Sequence, residues 1–206
     1  MSMGITPFAA LSAMSVAQDL ADIGRALQRV TVRVQSGSSG EGAGVLWRRD
    51  GLVITNAHVA RSNGLGVRLQ DGRTHEARLI SRDPRVDLAA LSIPGADHTA
   101  AEIGETTALH PGIVVLAFGH PLGVSNALSL GVLHRVAVDE SGEPRWIQID
   151  LRLAPGNSGG PLADAYGRVI GINTLVAGGL GHALPLKVII RFLESVGLST
   201  PGRRAA

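Results

Sequence analysis

Three short stretches of this 206-residue sequence carry side chains that could together perform nucleophilic acyl transfer. Ser158 lies in a Pro-Gly-Asn-Ser-Gly-Gly-Pro stretch, His58 in Thr-Asn-Ala-His-Val, and Asp87 in Val-Asp-Leu-Ala-Ala-Leu. A serine hydroxyl is a weak nucleophile until a neighbouring base removes its proton. Neutral imidazole does this near pH 7, and a carboxylate on its other nitrogen orients it. Glycines flanking the serine let the backbone turn tightly enough to aim N–H donors at the oxyanion that forms.

Each of these residues also has a plain structural alternative. Ser158 could be a turn serine, because Pro155 and the neighbouring glycines suit a turn by themselves. His58 could be a hydrogen-bonded core histidine, and Asp87 could cap a turn or helix that follows Pro84. The three residues together, in this chain order, favour the catalytic interpretation.

Composition argues against several other classes of function. The sequence contains no cysteine, which excludes disulfides, thiolate metal sites and a cysteine nucleophile. It contains no HExxH or paired-carboxylate pattern, so neither a metal nor a cofactor is expected. The formal net charge is +2 and the arginines are scattered, which argues against a nucleic-acid partner. The apolar runs are too short to predict a membrane span.

The remaining pattern predicts an all-β fold. The 27 glycines, with few aromatic residues, indicate short strands joined by many turns. Alternating apolar residues predict two sets of six strands, which we interpret as two six-stranded antiparallel β-barrels. The predicted strands are 31–35, 44–47, 52–55, 66–69, 75–80 and 88–92, then 113–118, 127–138, 146–150, 161–163, 169–175 and 181–184.

Helices and loops complete the predicted organisation. Helical spacing predicts a short amphipathic helix at 16–30, with Ser15 and Gln18 as its capping box, and a second helix at 185–196. A flexible Gly/Ser loop is predicted at 36–44. The resulting division is an N-terminal segment and helix at 1–30, a first barrel at 31–105, a second barrel at 106–184, and a C-terminal helix and tail at 185–206.

The ordered His58, Asp87 and Ser158, with these flanking residues, resemble the triad of the chymotrypsin-fold serine proteases. Within that family the sequence is most similar to the bacterial HtrA/DegP-type branch. Further motifs that carry the resemblance are Gly-Ala-Gly-Val at 42–45, Gly-His-Pro-Leu-Gly at 119–123, Gly-Ile-Asn-Thr at 171–174 and Gly-His-Ala-Leu-Pro at 181–185. The resemblance covers residues 20–197, the protease unit, without the PDZ module that often follows in this branch.

The resemblance implies a role for each matched residue. Ser158 is the nucleophile, His58 the general base and then the acid, and Asp87 orients His58. The backbone N–H groups of Gly156 and Ser158 form the oxyanion hole, with Asn157 shaping the loop. The implied substrate is an unfolded or flexible polypeptide, and an extended peptide pairs with the backbone at Leu175, Val176 and Ala177.

The residues expected around the substrate are compatible with two different P1 side chains. By the resemblance, Leu153 and Val176 line the pocket for the P1 side chain, which predicts a small or medium aliphatic P1 residue, and Ala154 lies in the same expected subsite. Arg152 and His182 depart from the family pattern of a small polar residue and a phenylalanine. These two side chains would favour an acidic P1 residue if they point into the pocket.

The sequence says less about the oligomeric state of the protein, its cellular compartment and its activation. The family often forms trimers through N-terminal aromatic segments, so a homotrimer is an expectation that rests here on Phe8. The family favours the bacterial periplasm or cell envelope. The apolar run at 5–17 has no Lys or Arg before it, so a clear signal peptide is not predicted and a cytoplasmic location stays open. A rival hypothesis is a latent or partner-activated peptide-binding module whose loops need ordering.

Overall fold

The N-terminal half of the protein is a helix followed by a closed antiparallel barrel. A computed structural model describes residues 7–37, 40–61, 64–105 and 109–199, with side chains from residue 15 onward. Helix α1 spans Pro7–Val30. The strands are β1 (Thr31–Ser36), β2 (Glu41–Leu46), β3 (Leu52–Thr55), β4 (Leu65–Arg68), β5 (Thr74–Asp83) and β6 (Leu88–Ser92). They close in the order β1-β2-β3-β6-β5-β4.

The C-terminal half is a second closed antiparallel barrel followed by a helix. Its strands are β7 (Val114–Gly119), β8 (Ala127–Val138), β9 (Pro144–Asp150), β10 (Pro161–Asp164), β11 (Val169–Ala177) and β12 (Leu180–Pro185). They close in the order β10-β11-β12-β9-β8-β7. A 3₁₀ turn at Pro121–Gly123 lies between β7 and β8, and helix α2 spans Leu186–Ser195.

Each barrel has its own interior of branched aliphatic side chains. Val34, Val53 and Leu91 are buried inside the first barrel. Ile149 and Ile170 are buried inside the second. Such side chains pack well on the inward face of a pleated strand. Each sheet therefore closes around its own core of inward-facing side chains.

A further apolar cluster joins the two barrels. It contains Ile54 and Leu88 from β3 and β6, Ile172 and Leu184 from β11 and β12, and Phe192 from α2. All five side chains are buried. Close packing in such a cluster resists displacement. It therefore fixes how the ends of these strands face each other across the junction.

The predicted two-barrel, all-β fold with a helix at each end is confirmed, but the predicted start of α1 is wrong. The helix begins at Pro7 and has 24 residues, so Ser15 lies inside it and does not cap it. Residues 9–14 are mostly strong helix formers, and proline is well tolerated in the first helical turn. Residues 7–17 of the apolar run thus belong to the helix.

The predicted loop at 36–44 is wrong in part, because β2 begins at Glu41. Glu41 pairs with Gln35 across the β1–β2 ladder, and its carboxylate lies 2.6 Å from Nε of Arg33. These contacts extend the strand into a stretch whose composition suggested a loop. Residues 38–39 lie outside the described part of the chain. The division into units at 105 and 106 stays a prediction, because residues 106–108 also lie outside it.

Candidate active site

His58 and Asp87 are brought together by the ends of two neighbouring strands. β3 ends at Thr55, which pairs with Ala89 near the start of β6. Residues shortly after β3 and shortly before β6 therefore emerge at the same edge of the first barrel. Nδ1 of His58 lies 2.7 Å from Oδ2 of Asp87, and the backbone N–H of His58 donates to Oδ1 at 2.9 Å.

This geometry sets the proton arrangement on the imidazole. An ionised carboxylate only accepts hydrogen bonds, so Nδ1 of His58 is the donor. A neutral ring then has Nε2 as its acceptor, and Nε2 is the atom that a general base needs. The His58 side chain is 34% exposed, which keeps the ring within reach of a substrate.

Asp87 has an unusual backbone conformation for a residue with a side chain. Its φ is 54°, in the left-handed region. Such a conformation costs about 1–2 kcal/mol and persists where surrounding contacts hold it. The carboxylate is held by His58, and the backbone carbonyl accepts a hydrogen bond from Nδ2 of Asn56 at 2.9 Å.

Ser158 lies on the tight loop before β10, and two glycines make that loop possible. Gly156 has a φ of 102°, and a Cβ there would lie 2.2 Å from the carbonyl oxygen of His120. Gly159 has a φ of 86°, and a Cβ there would lie 2.1 Å from the carbonyl oxygen of Ala43. Both the conformation and the close approach require glycine at these positions.

The hydroxyl of Ser158 does not bond to His58 in this structure. Oγ of Ser158 donates to the carbonyl oxygen of Thr174 at 2.9 Å, and no hydrogen bond joins Ser158 to His58 among the described residues. The Ser158 carbonyl accepts from the N–H of Ala43 in β2 at 2.8 Å. The nucleophile loop is therefore seated on the first barrel, while its hydroxyl points to a strand of the second.

The two predicted oxyanion donors are free of protein acceptors. Within the described residues, neither the N–H of Gly156 nor that of Ser158 donates to a protein group. The carbonyl of Pro155 instead accepts from the N–H of Leu122 at 2.8 Å. The C=O and N–H of a trans peptide point in opposite directions. The contact with Leu122 thus directs the Gly156 N–H away from the 3₁₀ turn.

Asn157 and His120 support this loop from inside. Asn157 is buried; its N–H donates to the carbonyl of Ala154 at 2.9 Å, and its carbonyl accepts from the N–H of Gly160 at 3.0 Å. The N–H of His120 donates to the carbonyl of Gly156 at 3.0 Å. Burial, with the nearby Arg33 as a second cause, lowers the pKa of His120 to about 4. His120 is therefore a neutral structural group of the turn at pH 7.

The residues predicted to bind an extended peptide lie on an exposed strand end. Leu175, Val176 and Ala177 are the last residues of β11 and are exposed. They pair with β12 on one side, whereas β10 pairs with β11 only as far as Ile172. Their second edge is not paired with a strand of the described chain. Such an edge suits strand addition by a peptide.

Around the predicted P1 subsite, Arg152 and His182 have different surroundings. Arg152 is exposed and has no ion pair within the described residues, while Leu153 and Ala154 are partly buried. Nε2 of His182 lies 3.4 Å from Nε2 of Gln148, and its ring centroid lies 5.7 Å from that of Trp146.

The surroundings of His182 keep its imidazole neutral. Burial, and secondarily the charge of Arg135, lower its pKa. Nε of Arg135 donates to Oε1 of Gln148, so the Gln148 amide group that faces His182 is itself held by the arginine. His182 is thus held by side chains of a neighbouring strand and is not a free positive charge.

Two residues of this site, Asn56 and Thr174, could not be predicted from the sequence. Both lie within quoted motifs, but residue type and spacing do not indicate which groups their side chains reach. In the described part of the chain, no group of three or more His, Asp or Glu residues could hold a metal ion. No described helix has the length and apolar character needed to span a membrane.

The two closed six-stranded antiparallel barrels have the architecture of the chymotrypsin fold. The Trypsin-like peptidase domain family matches residues 42–172. The chain therefore belongs to the trypsin-like peptidases, and its similarities to proteins of known name place it with the HtrA-type members.

Solved structures and named relatives agree on this branch. The "HtrA-type protease AlgW with tripeptide" superposes with a TM-score of 0.78 and 30% identity, covering 85% of this chain and 62% of that one. "Serine protease HTRA2, mitochondrial" of Drosophila ananassae is 35% identical over 76% of this chain and 39% of its own length. The Marinomonas sp. protein "Probable periplasmic serine endoprotease DegP-like" is 35% identical over 79% of this chain and 36% of its own length. The chain thus spans less than half the length of these two relatives.

Proposed function

We propose that this chain is a serine endopeptidase that hydrolyses peptide bonds of unfolded or flexible polypeptides through an acyl-enzyme on Ser158. The observation that carries the proposal is the 2.7 Å contact between Nδ1 of His58 and Asp87, because it leaves Nε2 as the base. The glycine-flanked serine loop and its two free N–H donors complete the set of groups that acyl transfer needs.

The reaction proceeds in two halves. Oγ of Ser158 attacks the peptide carbonyl carbon while Nε2 of His58 takes the hydroxyl proton, and the N–H groups of Gly156 and Ser158 bind the oxyanion. His58 then gives this proton to the amine nitrogen, the C–N bond breaks, and the acyl-enzyme remains. Water repeats the two steps, releasing the acid and restoring the Ser158 hydroxyl. These steps use only side chains and backbone of the chain.

One rearrangement precedes the first step. The Ser158 hydroxyl donates to the Thr174 carbonyl at 2.9 Å, so it must rotate about its Cα–Cβ bond toward His58. Catalytic hydrogen bonds are often formed only when substrate binds. A peptide paired with Leu175, Val176 and Ala177 would bring its scissile carbonyl next to this hydroxyl and so favour the rotated state.

The direct test of this function is turnover by Ser158→Ala. We expect casein or peptide cleavage to fall at least about 10⁴-fold, with the fold intact. Ser129→Ala is the matched control, because Ser129 is also partly buried in the second barrel but lies in a strand outside the site. Full activity of Ser158→Ala would refute the triad.

For the P1 residue we propose a small or medium aliphatic side chain. Leu153 is partly buried against β12, where a Cβ on Gly181 would lie 3.2 Å from its Cγ. His182 is engaged with Gln148 and Trp146, which leaves exposed Arg152 as the positive group available to an acidic P1 residue. A peptide library varied at P1 distinguishes the two preferences. Efficient cleavage after Glu or Asp, with none after Val or Ala, would overturn the aliphatic assignment.

A second candidate is favoured by the orientation of Ser158. A latent or partner-activated peptide-binding module would also have its hydroxyl away from His58, awaiting ordering of the loops at 120–126, 139–145 and 176–181. Casein turnover separates the two functions, because the latent module binds peptide without cutting it until an activator is added.

Compartment and assembly are also proposals. We place the chain in the bacterial periplasm or cell envelope, on the name of the DegP-like relative. We propose a homotrimer by the family resemblance, with α1 as its contact; Phe8, on which the expectation rested, has a side chain outside the described part. Sedimentation equilibrium checks this assembly, and a mass of one chain at micromolar concentration would refute it.

A further inference from the structure

Asn56 is a fully buried polar residue at the junction between the two barrels. It follows β3 directly and precedes His58 by two residues. Its relative exposure is 0%, although neither the base nor the nucleophile is its hydrogen-bond partner. Within the described residues its buried Oδ1 accepts no hydrogen bond, so the hydrogen bonds of Nδ2 alone must offset the cost of removing the amide from water.

The side-chain amide of Asn56 reaches both barrels with one nitrogen. Nδ2 donates to the backbone carbonyl of Asp87 at 2.9 Å and to Oγ1 of Thr174 at 3.2 Å. The Thr174 hydroxyl gives its single proton to the carbonyl of Ile172 at 3.0 Å. Oγ1 of Thr174 is therefore the acceptor toward Asn56, and the directions of these hydrogen bonds are consistent.

Each contact ends on a residue that holds part of the proposed triad. Asp87 has its strained left-handed backbone pinned through this carbonyl, which fixes where its carboxylate meets His58. Thr174 uses its own carbonyl to hold the Ser158 hydroxyl at 2.9 Å. One amide group thus links the acid side of the site, in the first barrel, to the nucleophile side, in the second.

We propose that Asn56 is a positioning residue that couples the two barrels, holding Asp87 and Thr174 at the separation that the triad needs. This inference rests on the proposed protease function. It assigns no chemical step to Asn56, which lies behind the reacting groups. Loss of the amide should therefore slow the chemistry at His58 and Ser158 while leaving peptide binding at residues 175–177 unchanged.

The test compares kcat with KM in Asn56→Ala and Thr174→Val, with Thr174→Ser as the conservative variant. We expect Asn56→Ala to lower kcat by about tenfold to a hundredfold with KM within about twofold, as displacements near 1 Å do. Thr174→Val keeps the shape of the side chain but removes the acceptor, so kcat should fall severalfold. Thr174→Ser keeps the hydroxyl acceptor, so its kcat should return to the wild-type value.

A spectroscopic readout separates positioning from a general loss of stability. The Nδ1 proton of His58, bonded to Asp87, should give a proton resonance far downfield of the amide region, and it should broaden or move in Asn56→Ala. Thr31→Val is the matched control, because it removes another buried hydrogen bond, from Oγ1 of Thr31 to the Leu27 carbonyl, which involves neither Asn56 nor Thr174. We expect it to lower the melting temperature while leaving kcat and the resonance unchanged.

The possible outcomes point to different conclusions. Wild-type kcat in folded Asn56→Ala, or in Thr174→Val if the first variant does not fold, overturns the positioning role. An equal fall of kcat in Thr31→Val assigns the effect to stability and also overturns it. Turnover retained in Ser158→Ala would instead overturn the proposed function itself, so the two failures are distinguishable.

Discussion

The two barrels contribute to the site in different states of readiness. In the first barrel His58 and Asp87 are already joined by two hydrogen bonds, between strand ends that pair directly. In the second barrel the Ser158 hydroxyl is bonded to the Thr174 carbonyl of its own barrel. In the proposed mechanism, the base is thus assembled before substrate arrives, whereas the nucleophile must still turn toward it.

The contacts that hold the two halves of the site, the His58–Asp87 pair and the Ser158 loop, differ in the same way. Asp87 is strained but enclosed by His58 and Asn56. The nucleophile loop is hydrogen-bonded to a turn that contains Leu122. Leu122 has a φ of 53° and is 77% exposed. Exposed segments with few buried contacts open most easily. Substitutions and pH should therefore affect the two halves through different routes.

The largest expected effect comes from removing the assembled half. His58→Ala should lower kcat by about 10⁴-fold or more, because it removes the general base of the proposed mechanism. The fold should persist, since the side chain is 34% exposed. Peptide turnover and circular dichroism measure these two outcomes. His134→Ala, an exposed histidine on β8, is the control and should keep full activity.

Gly156→Ala changes the other half of the site, the loop that carries Ser158. Its Cβ would lie 2.2 Å from the His120 carbonyl, so the loop must shift and the oxyanion donor with it. We expect kcat to fall by about 10²–10³-fold, the effect of losing one such donor. Gly112→Ala is the matched control: its φ is also positive, at 94°, but a Cβ there meets nothing within 4 Å. Equal activity of the two variants would contradict the assignment of the oxyanion hole.

Acid should weaken the nucleophile half through His120. Its pKa is about 4 in the folded protein against 6.5 when unperturbed, so the unfolded chain binds more protons between these values. The free energy of unfolding therefore falls as pH drops from 6.5 to 4, by up to about 3 kcal/mol from this group. Urea unfolding of wild type and His120→Asn across this range measures it. Parallel pH profiles of the two proteins would rule the effect out.

The smallest effect is expected from Leu122→Asn. Asparagine tolerates the left-handed conformation better than leucine, and little packing is lost because Leu122 is exposed. We expect the free energy of unfolding to rise by about 0.5 kcal/mol, measured by urea denaturation. A loss of stability would show that the leucine side chain makes a packing contribution larger than the strain.

Much of this site could be predicted from the sequence, because acyl transfer demands particular residue types. The hydroxyl, imidazole and carboxylate stand out at Ser158, His58 and Asp87, and glycines mark the nucleophile loop. Strand alternation likewise predicts two barrels, since a one-sided core imposes a period of two. The start of α1 could not be predicted because its first residues lack polar alternation. The first residues of β2 could not be predicted because their glycines suggest a loop, although the rest of that strand was predicted.

Contacts between distant segments could not be predicted in this way. Asn56 and Thr174 are 118 residues apart, and only the packing of one barrel on the other brings them together. The neutral, wall-bound state of His182 depends in the same way on Gln148 and Arg135 from neighbouring strands. Local patterns specify the elements and the reactive groups, but the relative placement of the two barrels specifies how those groups are coupled.

The most direct test of the account is covalent labelling by a fluorophosphonate, with the modified residue mapped by mass spectrometry. We predict a single adduct on Oγ of Ser158, at a rate that rises when a peptide substrate analogue occupies the edge at residues 175–177. His58→Ala should slow labelling strongly and Ser158→Ala should abolish it. An adduct on another residue, or equal labelling of wild type and Ser158→Ala, would contradict the proposal that Ser158 is the nucleophile.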